Sequence, residues 1–298
     1  MAELSAPQGS GEGPFGAAWR EHRGYLLGVA YRLVGSVTEA EDMVQEAYAR
    51  LLRADIDAID EVRGWLVVVV TRLCLDHLRS ARVKRESQPG QWLPEPLAVS
   101  DVDPADVVAM DESVRMALLI VLERLTPAER VVFVLHDVFD YSFEEIAPMV
   151  DRTAAACRQL GSRARRRIQA EEGPPRLTVD ADEMRRTAER FIAACEGGEL
   201  QPLLEVLDPA VVGWADIGDM PPTFLQPNVG RDEVAPRVFR FFGPATNTHL
   251  TLAVVNGEPG IIARRGGKPF AVIVLSVRDG LVNAIYSIVD PQKLTRIR

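Results

Sequence analysis

The chain has 298 residues, 47% of them hydrophobic and 26% charged, which at about 150 residues per domain makes two or three domains. Its net charge of −9 excludes a nonspecific nucleic-acid coat but not a local basic patch. No apolar run approaches a membrane span, Met1 to Ala17 carries no secretory signal, and three scattered cysteines (Cys74, Cys157, Cys195) exclude a disulfide scaffold, so a reduced, cytoplasmic protein with no metal and no cofactor is expected.

Residues 1–13 are rich in Gly, Pro and Ser and read as a flexible tail. Thr38-Glu39-Ala40-Glu41 fits a capping box. After it Ala40, Met43, Val44, Ala47, Tyr48, Leu51 and Leu52 recur at helical spacing, with Asp42, Gln45 and Glu46 as polar positions beside that face. A further helix is expected over Val62 to Arg82. The β-branched run Val67 to Val70 would suit a strand, but Trp65, Leu66, Leu73, Leu75 and Leu78 favour helix. It ends in the basic run Arg79, Arg82, Lys84, Arg85.

Residues 88–112 break the pattern. Gln88-Pro89-Gly90, then Trp92-Leu93-Pro94-Glu95-Pro96, then an acidic stretch read as an interdomain linker held near polyproline II geometry. Fully extended it would reach ~80 Å.

A new helical block opens near Ser113. Thr126-Pro127-Ala128-Glu129 is a second capping box with proline at the first helical position, and Val131 to Val138 continue that helix. Ser142-Phe143-Glu144-Glu145 is a third box, opening a short helix with Pro148 near its end. Asp151-Arg152 makes a tight connection, and Thr153 caps a helix to about Ala170. Short helix, turn and Arg-rich helix make a helix-turn-helix. Within 152–167 there are six arginines and no acid. Cys157, Leu160, Ala164 and Ile168 can face inward, leaving Arg158, Ser162, Arg163, Arg165 and Arg166 for a groove and its phosphates. Gly161 in mid-helix costs ~1 kcal/mol against Ala.

Gly173-Pro174-Pro175 marks another boundary, and the texture then changes. Ala181 to Glu196 is an amphipathic helix. Val211-Val212, His249 to Val255, Ile261-Ile262, Phe270 to Val277 and Leu281 to Val289 read as strands, with turns at Asn256-Gly257, Gly266-Gly267 and Asp279-Gly280. One or more helices and a curved antiparallel sheet make an α+β cone. Asp216, Asp219, His249 and Tyr286 are the residues there suited to acid–base chemistry, but they form no motif, and regulation or ligand binding is expected rather than catalysis.

These residues carry a resemblance. Residues 14–172 resemble the two characteristic regions of the extracytoplasmic-function sigma factors of bacterial RNA polymerase, and 178–298 resemble a SnoaL-like domain of the NTF2 superfamily. The division implied is region 2 at 14–87, linker at 88–112, region 4 at 113–172 and the cone at 178–298. Asp42-Met43-Val44-Gln45-Glu46-Ala47-Tyr48 resembles the segment that docks on core polymerase, the implied partners being the β′ clamp and the β flap. Gly64-Trp65-Leu66 through Asp76-His77-Leu78-Arg79 resembles the −10-reading helix, which implies roles for Arg72, Asp76, Arg79 and Arg82 on promoter DNA. Leu125-Thr126-Pro127-Ala128-Glu129-Arg130 and the Arg-rich helix resemble the −35-reading domain, implying Thr153, Arg158, Ser162, Arg163, Arg165 and Arg166. Trp92-Leu93-Pro94-Glu95-Pro96 resembles the linker motif of the subgroup that fuses both parts.

That subgroup often carries Asp-Gly-Gly-Gly-Lys and Asn-Pro-Asp-Lys-Leu motifs in its tail. Here Asp216-Ile217-Gly218-Asp219-Met220 and Asp290-Pro291-Gln292-Lys293-Leu294 stand in those places. The implied regulatory set is Trp92 to Pro96 with Asp216, Asp219, Asp290, Pro291, Lys293 and Leu294, and a small ligand in the cone is compatible with it. The sign of the regulation stays open. So do two alternatives: a helix-turn-helix regulator with a ligand-sensing tail, and a SnoaL-like enzyme with a DNA-binding front end.

Overall fold

The computed structural model describes residues 14–87, 91–98, 115–170, 180–218 and 227–297. The expected tail at 1–13, most of the linker, the Gly-Pro-Pro boundary, Asp219 and Met220 lie outside them.

The first bundle is α1 (Pro14–Val34), α2 (Val37–Leu51) and α3 (Val62–Ser87). Helix α2 starts one residue before Thr38, and its cap is Ser36, whose Oγ accepts from the Glu39 amide at 3.4 Å. Thr38 therefore sits inside the first turn, and the expected capping box is displaced. Residues 67–70 are helical, not a strand. Leu66, Val67, Val70 and Cys74 recur at three- and four-residue spacing and are all buried. One continuous buried stripe outweighs the mild helix penalty of valine.

The second bundle is α4 (Met116–Leu122), α5 (Pro127–Phe133), a π-helical turn (Val134–Val138), α6 (Phe143–Val150) and α7 (Ala154–Ala170). Both expected capping boxes form, Thr126 with Glu129 and Ser142 with Glu145. Asp151 takes the left-handed conformation, φ 56°, which turns the chain sharply. The Thr153 hydroxyl accepts from the Ala156 amide at 3.2 Å and starts α7. Gly161 is buried where α7 crosses α6, with Phe143 3.4 Å from where a Cβ would stand.

The two bundles share one hydrophobic core, in which Leu26, Val67 and Cys74 join Leu122, Leu135, Ile146 and Cys157. Polar contacts cross the same seam. Buried Arg130 donates to the Leu33 carbonyl at 2.9 Å, Arg72 donates to the Pro148 carbonyl at 2.9 Å, and the Tyr25 and Tyr141 hydroxyls meet at 3.3 Å.

The third unit is an α+β cone: α8 (Ala181–Glu196), α9 (Leu200–Val206), β1 (Leu207–Asp216), β2 (Asn228–Val229), α10 (Arg231–Phe242) and β3 to β6 (Thr248–Val255, Glu258–Arg265, Lys268–Arg278, Leu281–Ile288). Sheet order is β2-β1-β6-β5-β4-β3. It is mixed, since β1 and β6 run parallel while every other pair is antiparallel. Three hairpins bring β6 back alongside β1 in the same direction, so closing the sheet there requires a parallel pair. Their turns, Asn256-Gly257, Gly266-Gly267 and Asp279-Gly280, all have positive φ at both positions, as type I′ turns require.

The sequence reading gives the cone one or more helices without placing α10, whose interior holds Pro236. Val234, Ala235, Val238 and Phe242 bury at helical spacing and hold the helix despite it.

The sheet is buried on both faces. Ala271, Ile273, Leu275 and Ile285 point to the helices of the cone. Val272, Val274 and Ile288 alternate with them and pack on Leu93, Met116 and Ile120, with Leu294 and Ile297 closing the edge. This is why the Phe270 to Val277 run is unbroken by polar residues over most of its length.

Candidate nucleic-acid interface and linker latch

Helix α7 presents its arginines on one side because Cys157 and Ala164 bury the other. Arg158 pairs with Glu144 at 2.7 Å, Arg165 with Asp137 at 2.7 Å and Arg167 with Glu129 at 2.8 Å. Arg163 and Arg166 instead reach the carbonyls one turn back, Gln159 and Ser162, at 3.4 Å. Thr153 and Ser162 are exposed on the same helical unit. The acids that hold Arg158 and Arg165 lie on α6 and the π-turn, outside the acid-free stretch, so the folded basic surface is narrower than the sequence count.

On α3, Arg72, Asp76 and Arg79 are exposed and Asp76 pairs with Arg79 at 3.4 Å. Arg82 lies on the same helix, and its side chain is outside the described ones. Arg72 points at the second bundle, where the Pro148 carbonyl holds it. Trp65 packs partly buried against the shared core. On α2, Asp42, Gln45 and Glu46 lie on one outward face, and Leu52, 52% exposed, continues that face two turns beyond Gln45. Glu46 pairs with Arg50 at 2.8 Å.

The linker residues 91–98 lie extended between the bundles and the cone. Trp92 enters against α1: Gly35, φ +74°, leaves room for it, and a Cβ there would come within 2.6 Å of the indole. Glu95 is 3% exposed and sits at the N-terminus of α2, where its carboxylate accepts from the Val37 amide at 2.8 Å and Ser36 Oγ at 3.0 Å. A carboxylate at a helix N-terminus satisfies free amides and the helix dipole together. Tyr31 Oη donates to the Glu95 carbonyl at 2.6 Å and accepts from Asn256 Nδ2 at 2.8 Å. Burial drives the Tyr31 phenol well above its ordinary pKa, so it stays protonated. Asn256 also exchanges hydrogen bonds with the Leu97 backbone. The type I′ turn of the cone thus grips the linker and, through Tyr31, the first bundle.

On the other side the tail closes a latch. Lys293 Nζ donates to Asp216 Oδ2 at 2.7 Å and to the Leu93 carbonyl at 2.6 Å, and lies 4.1 Å over the Trp92 ring. Asp216 Oδ2 accepts from the Leu93 amide at 2.7 Å. The Asp216 and Lys293 side chains are only 5% and 11% exposed. Gly218, φ +62°, allows Asp290 within 2.8 Å of where a Cβ would be. The altered motif keeps the aspartate and the glycine that this geometry uses. Arg296 reaches Glu41 of α2 at 2.5 Å. Leu294 is buried and Pro291 turns the chain into this segment. Asn256, Tyr31 and Arg296 were not expected from sequence. Asn256 reads there only as a turn residue, and the other two carry no local pattern.

The residues suited to catalysis do not converge. Asp216 is committed to Lys293 and Leu93, His249 is exposed on the edge strand β3, and Tyr286 packs toward the linker. Among the described residues no group of His, Cys, Asp and Glu is placed to hold a metal, and no helix is long and apolar enough to cross a membrane.

The sigma-70 region 2 family model matches residues 18–83, and the sigma-70 region 4 model matches residues 115–168. Over 288 residues the chain is 45% identical to a probable ECF RNA polymerase sigma factor, SigI, of Mycobacterium tuberculosis, covering 96% of each. It is 39% identical to the ECF sigma factor SigJ of the same organism, covering 92% of this chain and 91% of that one. The crystal structure of SigJ superposes with a TM-score of 0.74 at 36% identity, over 94% of this chain and 98% of that one. The superposition with SigJ spans the cone as well as the two sigma regions. With this identity along almost its whole length, the chain belongs to the extracytoplasmic-function sigma factors of RNA polymerase.

Proposed function

We propose that this alternative sigma factor docks on the β′ clamp of core polymerase through the exposed α2 face of Asp42, Gln45 and Glu46. In this reading the second bundle meets the β flap and reads −35 duplex through α7, and α3 contacts the −10 strand through Arg72, Asp76, Arg79 and Arg82. The cone regulates these contacts and carries no catalysis. It takes a small ligand, and the protein works in the cytoplasm, where core polymerase is.

The observation that carries the reading is the shared core of the two bundles, latched by linker and tail. Two turns of duplex span ~70 Å, whereas α3 here touches α6, and Arg72 is spent on Pro148. Both promoter elements are out of simultaneous reach in this arrangement. We therefore read the cone as stabilising an inhibited pose, a sign the sequence leaves open. Opening requires Lys293 to release the linker and Glu95 to leave the N-terminus of α2.

The docking surface has a direct test. Asp42→Arg with Glu46→Arg changes two surface residues and should leave the thermal unfolding midpoint unchanged. Binding to core polymerase should fall at least about tenfold. Wild-type affinity in this variant removes the α2 face from the interface.

A further inference from the structure

Asn256 grips the linker with its side chain, and the residue after it makes that side chain reactive. Of the four asparagines in the chain, Asn228, Asn247, Asn256 and Asn283, only Asn256 precedes a glycine. An asparagine–glycine pair is especially prone to lose its side-chain amide, because no Cβ shields the following backbone nitrogen. Gly257 is exposed, and among the described residues nothing lies within 4 Å of where its Cβ would stand. Asn256 itself is 4% exposed. Its Oδ1 accepts from the Leu97 amide at 3.0 Å, its Nδ2 donates to Tyr31 Oη at 2.8 Å, and its own amide donates to the Leu97 carbonyl at 2.7 Å. The carboxamide is thus held by groups that lie outside the cone that carries it.

Deamidation needs the Gly257 nitrogen to attack the side-chain carbonyl carbon of Asn256. The new C–N bond closes a cyclic imide, the old one breaks, and ammonia leaves with the Gly257 amide proton. Water then opens the imide to aspartate or isoaspartate, so an amide and a water become a carboxylate and ammonium. The carboxamide must turn onto the Gly257 nitrogen, and its bonds to Leu97 and Tyr31 oppose that turn while the linker is docked. We infer that Asn256 is a deamidation site gated by the linker, protected in the latched form, converted from the released form, and unable to hold the linker once converted. The last step follows from the product. A carboxylate has no proton for Tyr31 Oη, which already donates its own to the Glu95 carbonyl at 2.6 Å. Burying the new charge there also carries a desolvation cost that the amide does not. This rests on the latch described above and gives it a covalent, one-way release.

The test ages the full chain at mildly alkaline pH and maps its peptides by mass, with Asn228, Asn247 and Asn283 as internal references. Tyr31→Phe removes the acceptor of Nδ2 and should raise both conversion at Asn256 and hydrogen exchange of the Asn256 amide about fivefold or more. Lys293→Met acts at the other end of the docked segment, on Leu93, and should raise both likewise. The site is overturned if Asn256 exchange rises in either variant while conversion does not, and the gating if wild type and both variants convert at one rate. Faster conversion in Tyr31→Phe, with Leu93 exchange unchanged in Lys293→Met, keeps the site and overturns the latch beneath it. Asn256→Asp should speed exchange of the Glu95 amide, which donates to the Gly35 carbonyl at 2.8 Å, about tenfold or more. Should that variant not fold, the converted fraction of aged wild type, separated by charge, gives the same readout. Wild-type exchange at Glu95 in the converted chain overturns the one-way step. Binding of fresh wild type to core polymerase reports separately on the proposed function.

Discussion

Arg163 and Arg166 differ from their neighbours on α7 in what holds them. Arg158, Arg165 and Arg167 have carboxylates at 2.7–2.8 Å, and a phosphate must compete with those. Arg163 and Arg166 have a carbonyl at 3.4 Å to give up. Arg163→Glu or Arg166→Glu should thus weaken −35 duplex binding and lower the slope of log affinity against log salt by about one for each arginine replaced. An unchanged slope in both variants would take α7 out of the interface. The sequence shows the six arginines but cannot show which are engaged, because Asp137, Glu129 and Glu144 reach them across the fold. Lys293 is the other residue on which the latch turns. Lys293→Met leaves the Asp216 carboxylate buried without its cation, which costs about 3 kcal/mol unless the linker lets go. Chemical denaturation should show that destabilisation, or Leu93 amide exchange should accelerate. Neither change would mean that the pair does not hold the linker.

The elements were legible where local chemistry decides them and illegible where distant contacts do. The boxes at Thr126 and Ser142 form as their spacing implies, since each needs only residues three apart. The start of α2 does not follow from its own sequence. Glu95, from 58 residues away, supplies the acceptor for the Val37 amide, so Thr38 is not needed as a cap. Helix α10 and the parallel pairing of β1 and β6 are tertiary outcomes in the same sense. Gly161 gives a test at this scale. An alanine methyl would meet Phe143 and Val132 at 3.4 Å and beyond, which is ordinary contact. Gly161→Ala should stabilise the protein by about 0.5–1 kcal/mol by removing the helix penalty of glycine. A destabilised variant would mean that α6 and α7 pack too closely for a methyl.

At the scale of the whole molecule, linker and tail act as one fastening. The extended segment 91–98 and the C-terminal turn around Lys293 fill the space between bundles and cone, and Leu93, Met116, Val272, Ile288 and Leu294 form one small core there. Each buried leucine contributes roughly 2 kcal/mol, so the fastening is neither negligible nor permanent. The linker motif was readable as a motif, and its prolines as a stiff segment. What it clasps was not readable, because Asp216, Asn256 and Lys293 lie more than 100 residues away in the chain. The measurement that bears most directly on the sigma function and its latch is run-off transcription of sheared genomic DNA from the source organism with core polymerase, mapping transcript 5′ ends. With the Lys293→Met chain added, new starts preceded by a shared pair of elements about two duplex turns apart should appear, and with the wild-type chain the same starts should appear more weakly. No new starts with either chain, while both bind core polymerase, would contradict a sigma function, and stronger transcription by the wild type would contradict the inhibitory sign of the latch.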